Sequence, residues 1–459
     1  MKSIGIVGRK KELEILDRLW SSKDSEFLAL YGRRRVGKTY LIRQYFSKKG
    51  IFLETAGLKD RSMKVQIENF MKAISETFFR GVPIKTSSSW DEAFDLLTQN
   101  LKSIPSSKKV IVFFDELPWM ATKRSGLLQS LDHYWNLHWS KMNNLIFITC
   151  GSAASWMLDK LIYAKGGLHK RITQKMLLEP FTLLETKDFF VSRSIPLKNK
   201  QILDLYLAIG GIPFYLKAIQ KGLSAAQVID QLCFDKNGLL YDEFENLFNS
   251  LFTQAAENLA IVKAIVKCGN SLSREGIIAS TRIASGGTLN ARLRELEVSG
   301  FIKGFIPYGK TSRNQYFKVI DEFTLFHLQW IAPILKDKGF LEEHYWQRRV
   351  KSPVASSWLG QAFENVCLKH VTQIRSALNL QNINCRLGSW QYIPKKGSKE
   401  EGAQIDLLID REDGIINLCE IKYSEHPFSI DKTYAKQLVK KITVFEEHFP
   451  TKKQIFLSL

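Results

Sequence analysis

Short apolar runs alternate with helix-length segments along the first half of the chain. Residues 27–31, 110–114 and 145–149 are almost entirely apolar, and the first run stops at Gly32. Runs of this kind are typical of parallel strands that are buried on both faces, with helices crossing between them. Residues 39–46 have the spacing of such a helix. The pattern therefore predicts an α/β fold with a parallel sheet.

The rest of the chain changes pattern twice. Residues 182–250 place apolar side chains three and four positions apart, which predicts a mostly helical segment. Residues 255–320 then contain helix candidates followed by strand-like runs, in the order of a winged helix. These segments are residues 259–266, 273–280, 288–298, 301–307 and 315–320. From about residue 353 the order is helix, strand, tight turn, strand, helix and strand, which predicts a small α/β domain.

Composition narrows the class of protein. The 459 residues are 45% apolar and 24% charged, which is ordinary for a folded chain of about three domains. No apolar run approaches about 18 residues, and residues 1–11 lack a secretory signal, so we expect a cytoplasmic protein without a membrane partner. The cysteines stand singly, which argues against a zinc site and a disulfide framework. A net charge of +20 favours an anionic partner.

A glycine-rich loop follows the first apolar run. Its sequence is Gly32-Arg33-Arg34-Arg35-Val36-Gly37-Lys38-Thr39. Every fixed position of the GxxxxGK[ST] motif is matched, and in such a loop the backbone N–H groups point at phosphates. Lys38 can reach the β- and γ-phosphates, and the hydroxyl of Thr39 can bind Mg²⁺. The whole loop is therefore expected to bind ATP.

Polar side chains end the next two apolar runs. Asp115 and Glu116 follow residues 110–114 directly. An aspartate there would bind Mg²⁺, usually through water, and the glutamate would orient or deprotonate the attacking water. Ser152 ends the third run, where it could contact the γ-phosphate or the same water, although a simple strand-to-helix turn is the alternative. These residues predict ATP hydrolysis with Mg²⁺ as a cofactor.

Residues 1 to about 350 resemble the archaeal-type ATPase family, within the wider AAA+/STAND group of P-loop ATPases. Besides the loop and the paired acids, the matching segments are Val7-Gly8-Arg9-Lys10-Lys11-Glu12-Leu13, Thr149-Cys150-Gly151-Ser152, Leu178-Glu179-Pro180-Phe181 and Gly210-Gly211-Ile212-Pro213. The resemblance implies that Gly8 and Arg9 lie near the adenine and that Pro213 lies close to the nucleotide in a helical lid. It also implies a winged helix after the lid. Cys150, before Gly151, departs mildly from the family's usual strand ending in serine.

A second set of charged residues lies near the C-terminus. Asp406 is on one strand candidate, and Glu420 and Lys422 are on the next, with a tight acidic turn between them. If the strands pair as a hairpin, the carboxylates approach each other, and Lys422 projects from the same face as Glu420. Two carboxylates and a lysine can bind Mg²⁺ and position a water against a phosphodiester. Solvated charges on a surface hairpin are the alternative.

Residues 355–459 resemble the PD-(D/E)xK nucleases in this arrangement. The resemblance implies catalysis by Asp406, Glu420 and Lys422 and a metal bound by Asp406, Glu420 and Glu364. Gln437 matches an auxiliary polar position in the following helix, whereas Ile405 replaces the proline that usually precedes the aspartate. A nuclease fold retained only for DNA binding is a third interpretation.

The winged-helix segment contains basic residues where a helix and a wing would meet duplex DNA. Arg292 and Arg294 are on the third helix candidate, and Lys310 and Arg313 are between the strand-like runs. A helix in the major groove and a basic wing on the phosphates would suit DNA. Glutamates on the same helix oppose groove contact, so a purely structural role stays open.

These features predict four segments and one leading function. The segments are a P-loop ATPase core at residues 1–180, a helical lid at 181–250, a winged helix with its connector at 251–350 and a nuclease-like domain at 351–459. The expected function is ATP hydrolysis linked to DNA and to a Mg²⁺-dependent nuclease-like domain. The alternative is a nucleotide-dependent regulatory switch whose C-terminal domain is a recognition module. A homo-oligomer or another protein partner stays open, whereas the paired acids and the order of the lid and winged helix argue against a nucleotide kinase.

Overall fold

The computed structural model describes residues 5–164, 168, 170–311, 314–337, 343–395, 397–398, 400–424 and 426–459. The chain divides into two compact units. The first contains Met1–Ile195, Gly211–Ala218 and Ser250–Thr253, and the second contains Pro196–Gly210, Ile219–Asn249 and Gln254–Leu459. Residues 181–250, the predicted lid, are thus divided between the two units, while the four-segment division stays a prediction.

The first unit is built on a parallel sheet of five strands in the order β2-β3-β4-β1-β5. The strands are β1 (Glu26–Tyr31), β2 (Ile51–Ala56), β3 (Val110–Asp115), β4 (Leu145–Gly151) and β5 (Gln174–Leu177). The helices of this unit are α1 (Lys10–Ser21), α2 (Lys38–Phe46), α3 (Met63–Phe78), α4 (Trp90–Lys102), α5 (Leu117–Met120), α6 (Leu127–Leu137), α7 (Ala154–Trp156), α8 (Leu183–Ser192) and α10 (Pro213–Lys217), with a 3-10 turn at Trp139–Lys141 and a π-helical turn at Met157–Ile162. The predicted α/β class is confirmed.

The apolar runs become the central strands because they can be covered on both faces. Every residue of β3 and β4 is buried, and the rings of Phe114 and Phe147 on these neighbours lie 5.1 Å apart. The pattern did not predict the edge strands β2 and β5. In β2 only alternate positions are buried, and Glu54 on that strand pairs with Arg43, so this strand has no continuous apolar run.

The second unit contains one antiparallel sheet, one mixed sheet and most of the remaining helices. The strand orders are β6-β8-β7 and β12-β11-β10-β9. The strands are β6 (Leu272–Ser273), β7 (Ile302–Phe305), β8 (Tyr316–Val319), β9 (Cys385–Tyr392), β10 (Ala403–Arg411), β11 (Ile415–Cys419) and β12 (Gln454–Ser458). The helices are α9 (Asn199–Ile209), α11 (Ala225–Ile229), α12 (Glu243–Leu251, ending in the first unit), α13 (Ala255–Lys267), α14 (Arg274–Thr281), α15 (Gly287–Val298), α16 (Glu322–Phe326), α17 (Ala332–Asp337), α18 (Tyr345–Arg349), α19 (Pro353–Lys369), α20 (Val371–Ala377) and α21 (Lys432–His448), with π-helical turns at Asp230–Phe234 and His327–Ile331.

Helices α13 to α15 and the antiparallel pair β7–β8 follow one another in the predicted order. Strand β6 adds a short third member, with Leu272 opposite Phe317. The inward face of this sheet includes Phe317 and Val319, both buried. The order of elements is therefore observed, and the assignment as a winged helix stays a prediction.

The C-terminal sheet contains the expected hairpin, in which β10 and β11 are antiparallel and β12 is parallel to β11. Helix α21 packs on this sheet, with the ring of Phe445 5.0 Å from that of Trp390. Strand β9 was not predicted, because most of its residues are only partly buried or exposed and give no apolar run. None of the described helices combines the length and apolarity needed to cross a bilayer.

Candidate functional sites

The glycine-rich loop connects β1 to α2, as the sequence predicts. Gly32 has φ of 142°, and a β-carbon at this position would lie 2.3 Å from the carbonyl oxygen of Leu178, so glycine is required. Lys38 is the first residue of α2 and is 6% exposed. Its Nζ donates hydrogen bonds of 2.9 Å to the carbonyl oxygens of Gly32 and Arg33. These bonds fix the ammonium group against the loop, at the N-terminus of the helix.

Thr39 and Asp115 form the arrangement expected of a Mg²⁺ site. The hydroxyl of Thr39 donates a 2.7 Å hydrogen bond to Oδ2 of Asp115, which is the last residue of β3. Within the described part of the chain, Oδ1 of Asp115 is buried and has no hydrogen-bond partner. A buried carboxylate oxygen without a partner is costly, and a divalent cation would satisfy it. Hydroxyl and carboxylate oxygens are also the ligands that Mg²⁺ prefers, so the residues fit this ion.

Glu116 and Ser152 contact each other at the ends of two adjacent strands. Glu116 has φ of 52° and turns the chain from β3 into α5. The N–H and the hydroxyl of Ser152 donate to Oε2 of Glu116 at 3.0 Å and 2.9 Å. Ser152 therefore lies beside the acid that was predicted to orient water, and its observed partner is that acid. Cys150, on β4, is buried, and burial raises the pKa of its thiol.

Arg9 connects segments that are far apart in the sequence. Its guanidinium group donates to the carbonyl oxygens of Glu179 at 2.7 Å and Val36 at 3.1 Å and lies 4.5 Å from the centre of the Phe181 ring. Arg9 is 5% exposed, and burial lowers its pKa even though Glu12 opposes that effect. The resemblance implied a place near the adenine, and the contacts observed are with the loop and with residues 179–181.

Arg35 links the loop to the segment that begins at Pro213. The guanidinium carbon of Arg35 lies 4.5 Å from the centre of the Phe214 ring and 6.0 Å from that of Tyr215. Pro213 is the first residue of α10, where its missing N–H costs no hydrogen bond. Pro213, the predicted lid residue, therefore directly precedes Phe214 in the sequence, and the ring of Phe214 contacts Arg35 of the loop. Arg34 is partly exposed, unlike the buried Arg33.

The predicted hairpin brings the C-terminal charged residues together. Leu407 on β10 is opposite Cys419 on β11, and the N–H of Ile421 donates a 3.0 Å hydrogen bond to Oδ2 of Asp406. Strand β11 ends at Cys419, so Glu420 and Lys422 follow the strand instead of lying within it. Nζ of Lys422 is 3.2 Å from Oε1 of Glu420, in agreement with a shared face.

Two side chains of α21 complete the surroundings of Glu420, and neither was predicted. The hydroxyl of Tyr434 donates to Oε1 of Glu420 at 2.9 Å, and Nζ of Lys441 donates to Oε2 at 2.6 Å. Burial acts to raise the pKa of Glu420, but the contacts with Lys441, Tyr434 and Lys422 outweigh it and lower the pKa. Tyr434 and Lys441 are seven positions apart, so the spacing of a helix could have paired them. Gln437 is on the same helix and is exposed.

Glu364, on α19, lies near the same carboxylates. Burial raises its pKa, and the charge of Asp406 adds to that effect. Burial likewise raises the pKa of Asp406, with a further contribution from Glu420. Among the described residues, no group of three or more His, Cys, Asp or Glu side chains is arranged to hold a metal ion, so the predicted three-acid set of Asp406, Glu420 and Glu364 is not found. Mg²⁺ needs only one or two carboxylates besides water, so the donor set of Asp406 and Glu420 fits it.

The basic residues predicted to meet DNA have different surroundings. Arg292 is paired with Glu295 at 3.2 Å and with Glu257 at 3.8 Å, so this side chain is used within the unit. Arg294 and Lys310 are exposed, and Arg313 lies outside the described residues.

Residues 6–219 match a family described as an ATPase domain predominantly from Archaea. The chain contains an archaeal-type ATPase domain. This domain includes the glycine-rich loop, the paired acids and Ser152. An ATPase domain of this kind binds nucleotide.

Proteins similar to this chain occur in Methanocaldococcus jannaschii and Pyrococcus abyssi. An uncharacterised protein of Methanocaldococcus jannaschii is 22% identical over 424 residues, which cover 91% of this chain and 88% of that protein. An uncharacterised ATP-binding protein of the same organism is 51% identical over 45 residues, 10% of this chain and 76% of that protein. Among solved structures, the Walker-type ATPase of Pyrococcus abyssi matches with a TM-score of 0.52 and 20% identity, over 71% of this chain and 96% of that one. The structural likeness supports the fold alone.

One residue of the ATPase domain was missed although the sequence contains its pattern. Glu185 accepts a 2.8 Å hydrogen bond from the N–H of Arg9, and a β-carbon on Gly8 would lie 2.7 Å from its side chain. Glu185 also forms a capping box with Thr182 at the start of α8. The spacing of Thr182 and Glu185 is the usual pattern for such a cap and could have predicted it. The long-range contact with Arg9 has no such pattern.

Proposed function

We propose that the ATPase domain hydrolyses ATP with Mg²⁺. The arrangement of Thr39 with Asp115 supports this most directly, because it combines a buried carboxylate oxygen with a hydroxyl at the start of α2. Both residues would hold the ion, which supplies charge stabilisation at the phosphates when it is bound. Lys38 would contact the β- and γ-phosphates together with the loop N–H groups.

Glu116 would orient or deprotonate the attacking water in this proposal. Its carboxylate is at the end of β3, next to Asp115, and Ser152 determines where one of its oxygens lies. General-base catalysis by a positioned carboxylate contributes on the order of 10²–10⁴-fold to a rate. The serine acts on the reaction only through the glutamate and is therefore a positioning residue.

ATP turnover by Lys38→Ala tests the assignment of the loop. We expect the variant to lose both ATP binding and hydrolysis, because no other described side chain in the loop occupies the place of this ammonium group. Lys48→Ala is the matched control, since Lys48 is an exposed residue just after α2. Hydrolysis by Lys38→Ala at the rate of the parent would remove the proposal.

We further propose that the C-terminal site cleaves phosphodiester bonds in nucleic acid, with DNA as the expected polymer. The contact between Lys422 and Glu420, beside Asp406, supports this second activity. Asp406 and Glu420 would hold Mg²⁺, which supplies Lewis-acid activation when bound. Lys422 would stabilise the charge that develops on the phosphate or activate the water. Lys441 contacts the same carboxylate and would keep it ionised.

A nuclease assay on DNA and RNA, with Mg²⁺ or Mn²⁺ and with or without ATP, tests this activity. We expect the parent to nick nucleic acid in the presence of the metal ion. We expect the variants Glu420→Gln and Lys422→Met to show no nicking. Lys436→Met is the matched control, because Lys436 is an exposed lysine on α21. Absence of cleavage of every substrate by the parent would remove the nuclease proposal and leave the ATPase proposal in place.

The competing proposal is a regulatory switch whose C-terminal domain only recognises a partner. DNA binding that weakens steeply with salt would favour a nucleic-acid function, in which Arg294 and Lys310 are the exposed basic side chains of the predicted winged helix. Capture of a protein that depends on bound ATP or ADP, without DNA binding, would favour the switch.

A further inference from the structure

Lys318 lies beside the C-terminal carboxylates although it belongs to an earlier sheet. It is on β8, where Phe317 and Val319 are buried, and alternation along the strand directs Lys318 to the opposite face. Its Nζ is 3.9 Å from Oε2 of Glu364, and its side chain is only 20% exposed. No motif in the sequence connects this lysine with residues 355–459.

The surroundings of Lys318 are those of a counter-ion. Burial lowers its pKa, and the charges of Glu364 and Asp406 oppose that effect. Burial raises the pKa of Glu364 most, and the negative charge of Asp406 raises it further. A lysine at 3.9 Å is outside hydrogen-bonding distance, so its interaction with Glu364 is mainly electrostatic. The ammonium group of Lys318 therefore provides one positive charge that interacts with the carboxylates of Glu364 and Asp406.

We propose that Lys318 is a resident counter-ion of Glu364 beside the candidate metal site, and that a divalent cation held by Asp406 and Glu420 competes with its positive charge. The inference rests on the proposed Mg²⁺ site of the C-terminal domain. A bound cation would repel the ammonium group and weaken the attraction between β8 and α19. By reciprocity, any movement of β8 that withdraws Lys318 would strengthen metal binding. Lys318 is a positioning residue in this proposal, since it acts through the carboxylates.

Mn²⁺ affinity, measured by electron paramagnetic resonance without nucleic acid, tests the competition. All variants carry Asp115→Asn, so that ions at the ATP site do not contribute. We expect Lys318→Met to bind Mn²⁺ about fivefold more tightly than the parent, which is the size of effect that a partly screened charge produces. Lys318→Arg keeps the charge and should restore the affinity of the parent.

Lys303→Met is the matched control, because Lys303 is directly opposite Lys318 on β7 and is exposed. It should leave the Mn²⁺ affinity unchanged. A Lys318→Met variant that binds Mn²⁺ as the parent does, or more weakly, would overturn the inference alone, and damage to the fold cannot mimic the expected tighter binding. If neither the parent nor Lys318→Met binds Mn²⁺ in a way that Asp406→Asn abolishes, both the inference and the proposed metal site are wrong.

Discussion

The hydroxyl of Tyr308 donates a 2.5 Å hydrogen bond to Oδ2 of Asp410, which joins the β7–β8 connection to the C-terminal sheet. The N–H of Tyr308 also donates to the carbonyl oxygen of Ser389 at 2.8 Å, and its ring lies 4.9 Å from that of Phe449. The part of the hairpin that would serve as a wing is therefore bound to the protein itself. Any contact with DNA phosphates here would come from exposed neighbours such as Lys310.

Replacement of Tyr308 by phenylalanine should release this connection while keeping the ring in place. A hydrogen bond to a charged group contributes about 1.5–3 kcal/mol, so we expect faster amide exchange in residues 306–311 and no change in the ATPase domain. Hydrogen exchange followed by mass spectrometry measures both regions. Lys310→Met, an exposed neighbour, is the control, and unchanged exchange in Tyr308→Phe would show that the hydroxyl contributes nothing.

The contribution of Asp410 to stability should disappear in acid. Burial acts to raise the pKa of Asp410, but hydrogen bonds from Lys453 and Tyr308 outweigh it, so the folded-state pKa is below the usual value. A depressed pKa contributes stability above the unfolded pKa of about 3.9, and that stability is lost as the pH falls through the folded value. We expect Asp410→Asn to lower Tm at pH 7 and the difference from the parent to shrink below about pH 4. A difference that grows with acid would contradict this.

Arg9 should be required for the fold around the loop and for nucleotide binding together. Arg9→Met leaves the carbonyl oxygens of Glu179 and Val36 without their donor, which costs about 1–3 kcal/mol for each buried group. We expect a clear fall in Tm and weaker ATP binding, measured by thermal unfolding with and without ATP. Lys10→Met, at the adjacent exposed position, should behave as the parent does. Normal Tm with weak ATP binding would instead favour direct contact of Arg9 with the nucleotide.

Ser152 should affect the rate of hydrolysis and leave ATP affinity unchanged. Ser152→Ala removes the hydroxyl donor to Glu116 and retains the backbone N–H bond, so the carboxylate is held less firmly. We expect kcat to fall by about tenfold, the effect of one hydrogen bond to a charged group, with the Kd for ATP unchanged. Ser152→Thr keeps the hydroxyl and should recover part of the rate. A weaker Kd for ATP with normal kcat would place Ser152 on the phosphates instead.

The sequence predicts the parts of this protein that depend on neighbouring residues. The glycine-rich loop and Asp115 with Glu116 are contiguous, and the strands before them are buried on both faces, so the local sequence pattern identifies them. The hairpin of β10 and β11 is also local, and it brings Asp406 to Glu420 as expected.

The residues that the sequence does not reveal act across long separations. Arg9 bonds to Glu179, and Lys318 reaches Glu364 from another sheet, so neither contact leaves a spacing pattern. Lys441 is on a helix that meets Glu420 only when the C-terminal core forms. Edge strands such as β9 were missed for a different reason, since partial exposure removes the apolar run that marks a buried strand.

Steady-state ATP hydrolysis by Glu116→Gln, with ATP binding measured in the same samples, separates catalysis by Glu116 from nucleotide binding. The amide keeps the size of the side chain and can still contact Ser152, but it cannot accept a proton from water. We predict that kcat falls by at least about 100-fold while the Kd for ATP stays within about threefold of the parent. Hydrolysis by Glu116→Gln at the rate of the parent would show that Glu116 does not orient or deprotonate the attacking water.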